Sequence, residues 1–148
     1  MKIIGSHTLP LPAERAYTAM QDPEMLARAI PGCQSLERIG DDEYKMKMKM
    51  VLASLSGAFE GKVRITDQTP PESFRLVVEG TGKIGFVKGD GVLKLVSVET
   101  GTEVSYEGDA QIGGTIASVG QRLIDGTAKM MIKKFFERLT SEAAETAK

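Results

Sequence analysis

The chain has 148 residues, the length of one domain, and its 41% hydrophobic and 26% charged residues are ordinary for a globular fold. A formal charge of −1 lacks the basic excess that nucleic-acid binding requires, and the single cysteine, Cys33, excludes an internal disulfide. No run approaches the ~20 apolar residues of a spanning helix, and the opening Met1–His7 stretch has no apolar core of a signal peptide, so the expected location is the cytoplasm.

Residues 2–9 alternate and predict a first strand, which Pro10 and Pro12 end. Pro12 suits the first turn of a helix running to about Met20, with Ala13, Ala16, Tyr17 and Met20 at helical spacing. Asp22-Pro23 starts a second short helix, the Asp capping and the Pro in first position, and it stops before Pro31-Gly32.

The middle of the chain predicts strand after strand. Residues 33–39 form a short one, turned at Gly40-Asp41-Asp42. Residues 43–53 set Tyr44, Met46, Met48 and Met50 against Lys45, Lys47 and Lys49. Residues 57–66 set Phe59, Gly61, Val63 and Ile65 against Glu60, Lys62 and Arg64. Strands over 73–83 and 91–98 follow the Pro70-Pro71 loop, with a flexible loop expected over 84–90 between Gly85 and Gly89. Residues 102–112 alternate again. Such one-sided alternation means antiparallel sheet with one wet face.

Thr115 is placed to cap a long helix over residues 116–145, with an apolar stripe of Ile116, Val119, Leu123, Thr127, Met130, Met131, Phe135 and Leu139. The polar tail 141–148 is expected to fray. The whole of 1–148 reads as one α+β domain: a lone strand and a six-strand meander must bury one face, and the only long amphipathic helix comes last to cover it. Glycines within strands (Gly57, Gly61, Gly80, Gly108) permit the bends that would curl this sheet around the helix.

Few residues offer chemistry. Gly80-x-Gly82-x-x-Gly85 has the letters of a dinucleotide fingerprint but is followed by more strand, not by a phosphate-binding helix. His7, the only histidine, shares an inward face with Ile3, Gly5 and Leu9 and reads as a core histidine or a polar contact for a ligand. Cys33 has only His7 as a conceivable base and reads as a small buried hydrophobe. Met46, Met48, Met50, Met130 and Met131 read singly as core filling, and jointly as a deformable apolar lining. Lys45, Lys47, Lys49, Lys62 and Arg64 would form a convex basic patch, solvated or touching anionic lipid headgroups at roughly 1 kcal/mol each.

Taken together, several segments resemble one family. They are Ile30-Pro31-Gly32-Cys33; Gly57-Ala-Phe59-Glu-Gly61-Lys-Val63, with Asp67 and Pro70-Pro71 behind it; Gly80-Thr-Gly82; and Gly113-Gly114-Thr115-Ile116-Ala117-Ser118-Val119-Gly120 before Arg122-Leu123-Ile124. In this order the chain resembles the CoxG family, the CoxG subunits of carbon monoxide dehydrogenase, within the START/Bet v 1-like (SRPBCC) helix-grip superfamily, over about residues 1–140. The resemblance implies a seven-stranded antiparallel sheet wrapped around a long C-terminal helix, two short helices after strand 1, and a hydrophobic cavity between sheet and helix. It further implies a non-enzymatic accessory role beside a molybdenum hydroxylase of the carbon monoxide dehydrogenase type, with a bound menaquinone-like quinone or similar lipid and peripheral contact at the inner face of the cytoplasmic membrane. Many family members look to carry an extra C-terminal tail that binds membrane, which this chain, ending at Lys148, is expected to lack. For such a cavity the lining candidates are Met46, Met48, Met50, Phe59, Val63, Phe74, Leu76, Val78, Phe86, Leu95, Tyr106, Leu123, Met130 and Met131, with Tyr106 and His7 facing a polar headgroup. The alternatives are an adaptor without ligand and an enzyme of the cyclase or dehydratase kind; no catalytic or metal-binding set is expected.

Overall fold

Where alternate side chains can be buried on one side, the chain pairs as sheet. The computed structural model describes residues 1–52 and 54–146. Its strands are β1 (Lys2–Leu9), β2 (Cys33–Gly40), β3 (Glu43–Leu52), β4 (Leu55–Thr69), β5 (Ser73–Gly82), β6 (Gly85–Val98) and β7 (Gly101–Gly113). They form one antiparallel sheet in the order β1-β7-β6-β5-β4-β3-β2, a meander closed by the return of β1 to β7. The central strands expose one face: in β3, Tyr44, Met46 and Met48 are buried while the intervening lysines stand in solvent.

Two short helices, α1 (Ala13–Ala19) and α2 (Pro23–Ala29), lie between β1 and β2. The Asp22 carboxylate accepts the Glu24 amide at 3.0 Å and Pro23 opens α2, the cap chemistry read from the sequence. Hydrogen bonds tie this pair to the sheet. The buried Thr102 hydroxyl donates to the Leu11 carbonyl at 2.7 Å, and the single Tyr17 hydroxyl proton is shared between Gln68 Oε1 (2.9 Å) and the Ser73 carbonyl (3.1 Å).

Two expectations fail here. Residues 84–90 are not a flexible loop: Gly82 pairs with Gly85 across a two-residue hairpin, and Phe86–Asp90 are already strand. Glycine density suggests a loop, yet Gly89 and Gly91 are laddered to both neighbouring strands. Nor is 116–145 one helix. Thr115–Val119 is a single 3-10 turn, flanked by Gly114 at φ 82° and Gly120 at φ 98°, conformations that favour glycine. Thr115 caps nothing with its side chain. The long helix, α3, runs Gln121–Thr146, so the expected frayed tail begins inside it, while Ala147 and Lys148 lie outside the described residues.

Breaking the chain at Gly120 also rotates the stripe. The residues of α3 that are fully buried are Ile124, Phe136 and Leu139, whereas Leu123 and Met130 are 41% and 45% exposed. A period counted from Ile116 carries through the break and lands one residue early. The helix packs mainly on α2, where Arg28 meets Glu142 at 3.0 Å, and only lightly on the sheet.

Candidate functional site

The helix is seated at its two ends. Ile124 is buried near one end, Phe136 and Leu139 near the other; Met131, Ile132 and Phe135 between them are half-buried, because they face a gap. Below them the sheet has no side chains to fill it. Gly91 of β6 is the partner of Gly108 of β7, and Gly89 the partner of Ala110. All four positions point inward by the alternation of their strands. The result is a cleft of about 350 Å³, partly open to solvent.

Its floor is Gly89, Gly91, Gly108 and Ala110; its walls are Ile3 of β1, Met46, Val63, Ile65, Phe74, Leu76, Val78 and Leu93; its roof is Met131, Ile132, Phe135 and Phe136. Met20, Leu26, Ile30 and Pro31, from α1, α2 and the segment after α2, close one end. Asp90, Val92, Glu107 and Asp109 border the cleft by backbone, since their side chains alternate to the convex face, where Asp90 pairs with Arg75 (Nε to Oδ1, 2.7 Å).

The polar side chain that reaches the cleft is Tyr106. It sits opposite Gly5 in the β1–β7 register, and its ring lies over that glycine so closely that a Cβ there would collide with the hydroxyl. Tyr106 stacks on Phe136 (5.7 Å, 15°), and Phe136 stacks on His7 (4.9 Å, 18°). Burial pushes the Tyr106 phenol above its ordinary pKa, so it is a neutral donor at neutral pH. On the far side of this ring stack a second, more polar groove runs between β1 and α3. It shares Ile3, Tyr106, Ile132 and Phe136 with the cleft and adds Lys2, His7, Gln121, Asp125, Lys129 and Lys133.

Of the sequence-derived lining candidates, the cleft takes Met46, Val63, Phe74, Leu76, Val78, Tyr106 and Met131. Met48, Phe59 and Leu95 are buried in the core, and Met50 packs against it. Phe86, Leu123 and Met130 are exposed and away from the cleft, the last two by the rotated helix phase. His7 lines the polar groove, with Nε2 3.4 Å from the Thr140 hydroxyl. Sequence reading misses the glycine floor. Its signal is present as small residues at inward positions of β6 and β7, but the same residues suit bends and loops equally well.

Cys33 lies half-buried at the start of β2 and burial pushes its thiol up, away from nucleophilic reactivity. The five basic residues of β3 and β4 are exposed on the convex face, but they do not form an unbroken patch. Lys45 stands between Glu37 and Lys62, Lys62 is also paired with Glu79, Arg64 with Glu43, and Lys47 with Glu60 at 3.9 Å.

Comparison with known proteins adds three observations. The family model described as the CoxG subunit of carbon monoxide dehydrogenase matches residues 5–144. A conserved protein from Geobacillus kaustophilus is similar in structure with a TM-score of 0.93 and 35% identity, over 99% of this chain and 97% of that one. More distant likenesses, which concern the fold alone, include a protein from Mycobacterium smegmatis (TM-score 0.72, 14% identity, 98% and 92% coverage) and an aromatase/cyclase from a Streptomyces species (TM-score 0.70, 10% identity, 100% and 96% coverage). A search of curated proteins gives no match. Among the described residues no helix is long and apolar enough to cross a membrane.

Proposed function

Because the chain belongs to the CoxG family of carbon monoxide dehydrogenase subunits, we propose that it is an accessory protein that holds an apolar molecule, a quinone or similar lipid, in the cleft between sheet and α3. The partner proposed from the family description is a molybdenum hydroxylase of the carbon monoxide dehydrogenase type.

The observation that carries this reading is the glycine-floored cleft. A sealed, empty apolar void of about 350 Å³ would forgo about 8 kcal/mol at ~24 cal/mol per Å³, on the scale of a domain's whole stability. A cleft that opens to solvent and accepts an apolar guest escapes most of that cost, and burying the guest gains ~25 cal/mol per Å². The lining also fits the usual ligand-site composition, apolar with few polar groups. At ~30 Å³ per water-sized group, the cleft accommodates about twelve methylene-sized groups. A ten-carbon tail fits within it, and a longer isoprenoid chain would project through the opening.

Chemistry in the cleft has little to work with. Tyr106 supplies one neutral hydroxyl, and no acid–base pair faces inward among the described residues, which supports a binding role over a cyclase-like one.

The test is titration of a benzoquinone bearing a ten-carbon tail into the purified chain, with native mass spectrometry of protein isolated from its own host. Saturable binding that a Gly89→Leu substitution weakens by about tenfold or more is the expected result. Absence of any bound lipid, together with no binding of the quinone, would end this reading.

A further inference from the structure

We infer that the groove between β1 and α3 is a headgroup site for lipids held in the cleft, and that among such lipids it favours an anionic head: a single-chain amphipath of about twelve carbons ending in a carboxylate. The inference rests on the cleft being a ligand site, and it adds a second compartment with its own chemistry.

Three features carry it. First, groove and cleft adjoin: Tyr106, Phe136, Ile132 and Ile3 form the wall between them and line both. A chain buried under α3 that slipped past the edge of the Tyr106–Phe136–His7 stack would emerge in the groove. Second, the two compartments differ in polarity as the two ends of an amphipath do: the cleft is apolar apart from Tyr106, whereas the groove carries ammonium, imidazole, amide and carboxylate groups.

Third, the side-chain charge that α3 presents to the groove is more positive than negative. Lys129 and Lys133 lie one turn apart on the same face of α3 and both line the groove. Among the described residues neither lysine is in an ion pair. The one acid of the groove, Asp125, is already bound by the Gln121 amide at 2.8 Å. The Tyr106 hydroxyl makes no hydrogen bond among the described residues and can donate only to an acceptor from outside. Donors along a groove of about 660 Å³ next to an apolar cleft suit a carboxylate, whose charge-assisted hydrogen bonds are about twice as strong as neutral ones.

The test compares dodecanoate with dodecanol, the same chain without the charge, by calorimetric titration at neutral pH and low ionic strength. The variants are Lys129→Ala/Lys133→Ala, which keeps good helix formers on α3, and Gly89→Leu. The expected result is at least about tenfold tighter binding of dodecanoate than of dodecanol to the wild type. That ratio should fall towards one in the double lysine variant and on adding salt, while Gly89→Leu weakens both ligands. Equal affinities in the wild type, or a ratio that survives the lysine substitutions, would overturn the headgroup site while leaving the cleft reading intact. If neither compound binds, both fall together.

Discussion

The two halves of the concave face make a direct comparison, because one helix spans both. On β3 and β4 most inward positions carry large buried side chains, Tyr44, Met46, Met48, Phe59, Val63 and Ile65 among them, and the inward glycines Gly57 and Gly61 are backed by Ile84 and the Glu79 carbonyl. On β6 and β7 the central inward positions carry Gly89, Gly91, Gly108 and Ala110. The first half is filled by its own side chains; the second stays open for about 350 Å³. Methionine flexibility therefore does not make the space, since of Met46, Met48 and Met50 only Met46 touches it. Missing side chains make it, and a helix anchored at both ends keeps it from collapsing.

The largest expected effect breaks an anchor. Leu139 is fully buried, so Leu139→Ala should cost about 2–5 kcal/mol and lower Tm by roughly 10 °C. Met131→Ala, in the spanning part of α3, should cost about 1 kcal/mol or less, because that side chain already borders open space. Equal losses in chemical denaturation would show that the helix is not held at its ends.

Next come two substitutions on one floor. A Cβ on Gly108 would stand 2.5 Å from the Asp90 carbonyl oxygen, whereas at Gly89 the nearest atom is 4.0 Å away. Gly108→Leu should therefore disrupt β6–β7 pairing and unfold readily. Gly89→Leu should keep Tm within a few degrees and reduce affinity for the ten-carbon quinone by about tenfold or more, a loss of ~1.4 kcal/mol of binding or greater. If Gly89→Leu bound as well as the wild type, the glycine floor would not be the site.

The smallest effect lies away from the cleft, where the helix pair is tied down. Tyr17→Phe should cost about 1 kcal/mol through the bonds to Gln68 and Ser73. Burial pushes the Tyr17 phenol above its ordinary value of 10.0. The native state thus holds this proton more tightly than the unfolded chain, and the stabilisation is complete below about pH 10. It declines as pH rises above that value, because the unfolded chain ionises first. Stability against pH should fall less steeply in the Tyr17→Phe variant over that alkaline range.

Most of the fold could be read from the chain. The seven strands and two short helices follow from alternation with one wet face and from Asp22-Pro23 capping, which are local properties. The site was legible only in part. Met46, Val63, Phe74, Leu76 and Val78 were readable as inward apolar positions of strands, where a period of two admits only two faces. Leu123 and Met130 were misplaced because a helical period has to be counted from a known start, and Gly120 moved the start. Ile132 and Phe136 were missed for the same reason.

By itself, then, the amino-acid sequence determined the order of elements, the sheet's wet and dry faces and the family to which the chain belongs. Tertiary structure alone decided which inward positions enclose space. A glycine at an inward position bends a strand, lets another backbone approach or leaves a void, and these outcomes differ only in what stands opposite. At Gly61 a neighbouring carbonyl fills the place of the missing side chain; at Gly89 nothing does. That difference belongs to residues distant in sequence that the register of β5, β6 and β7 and the two anchors of α3 bring together, and no local pattern contains it.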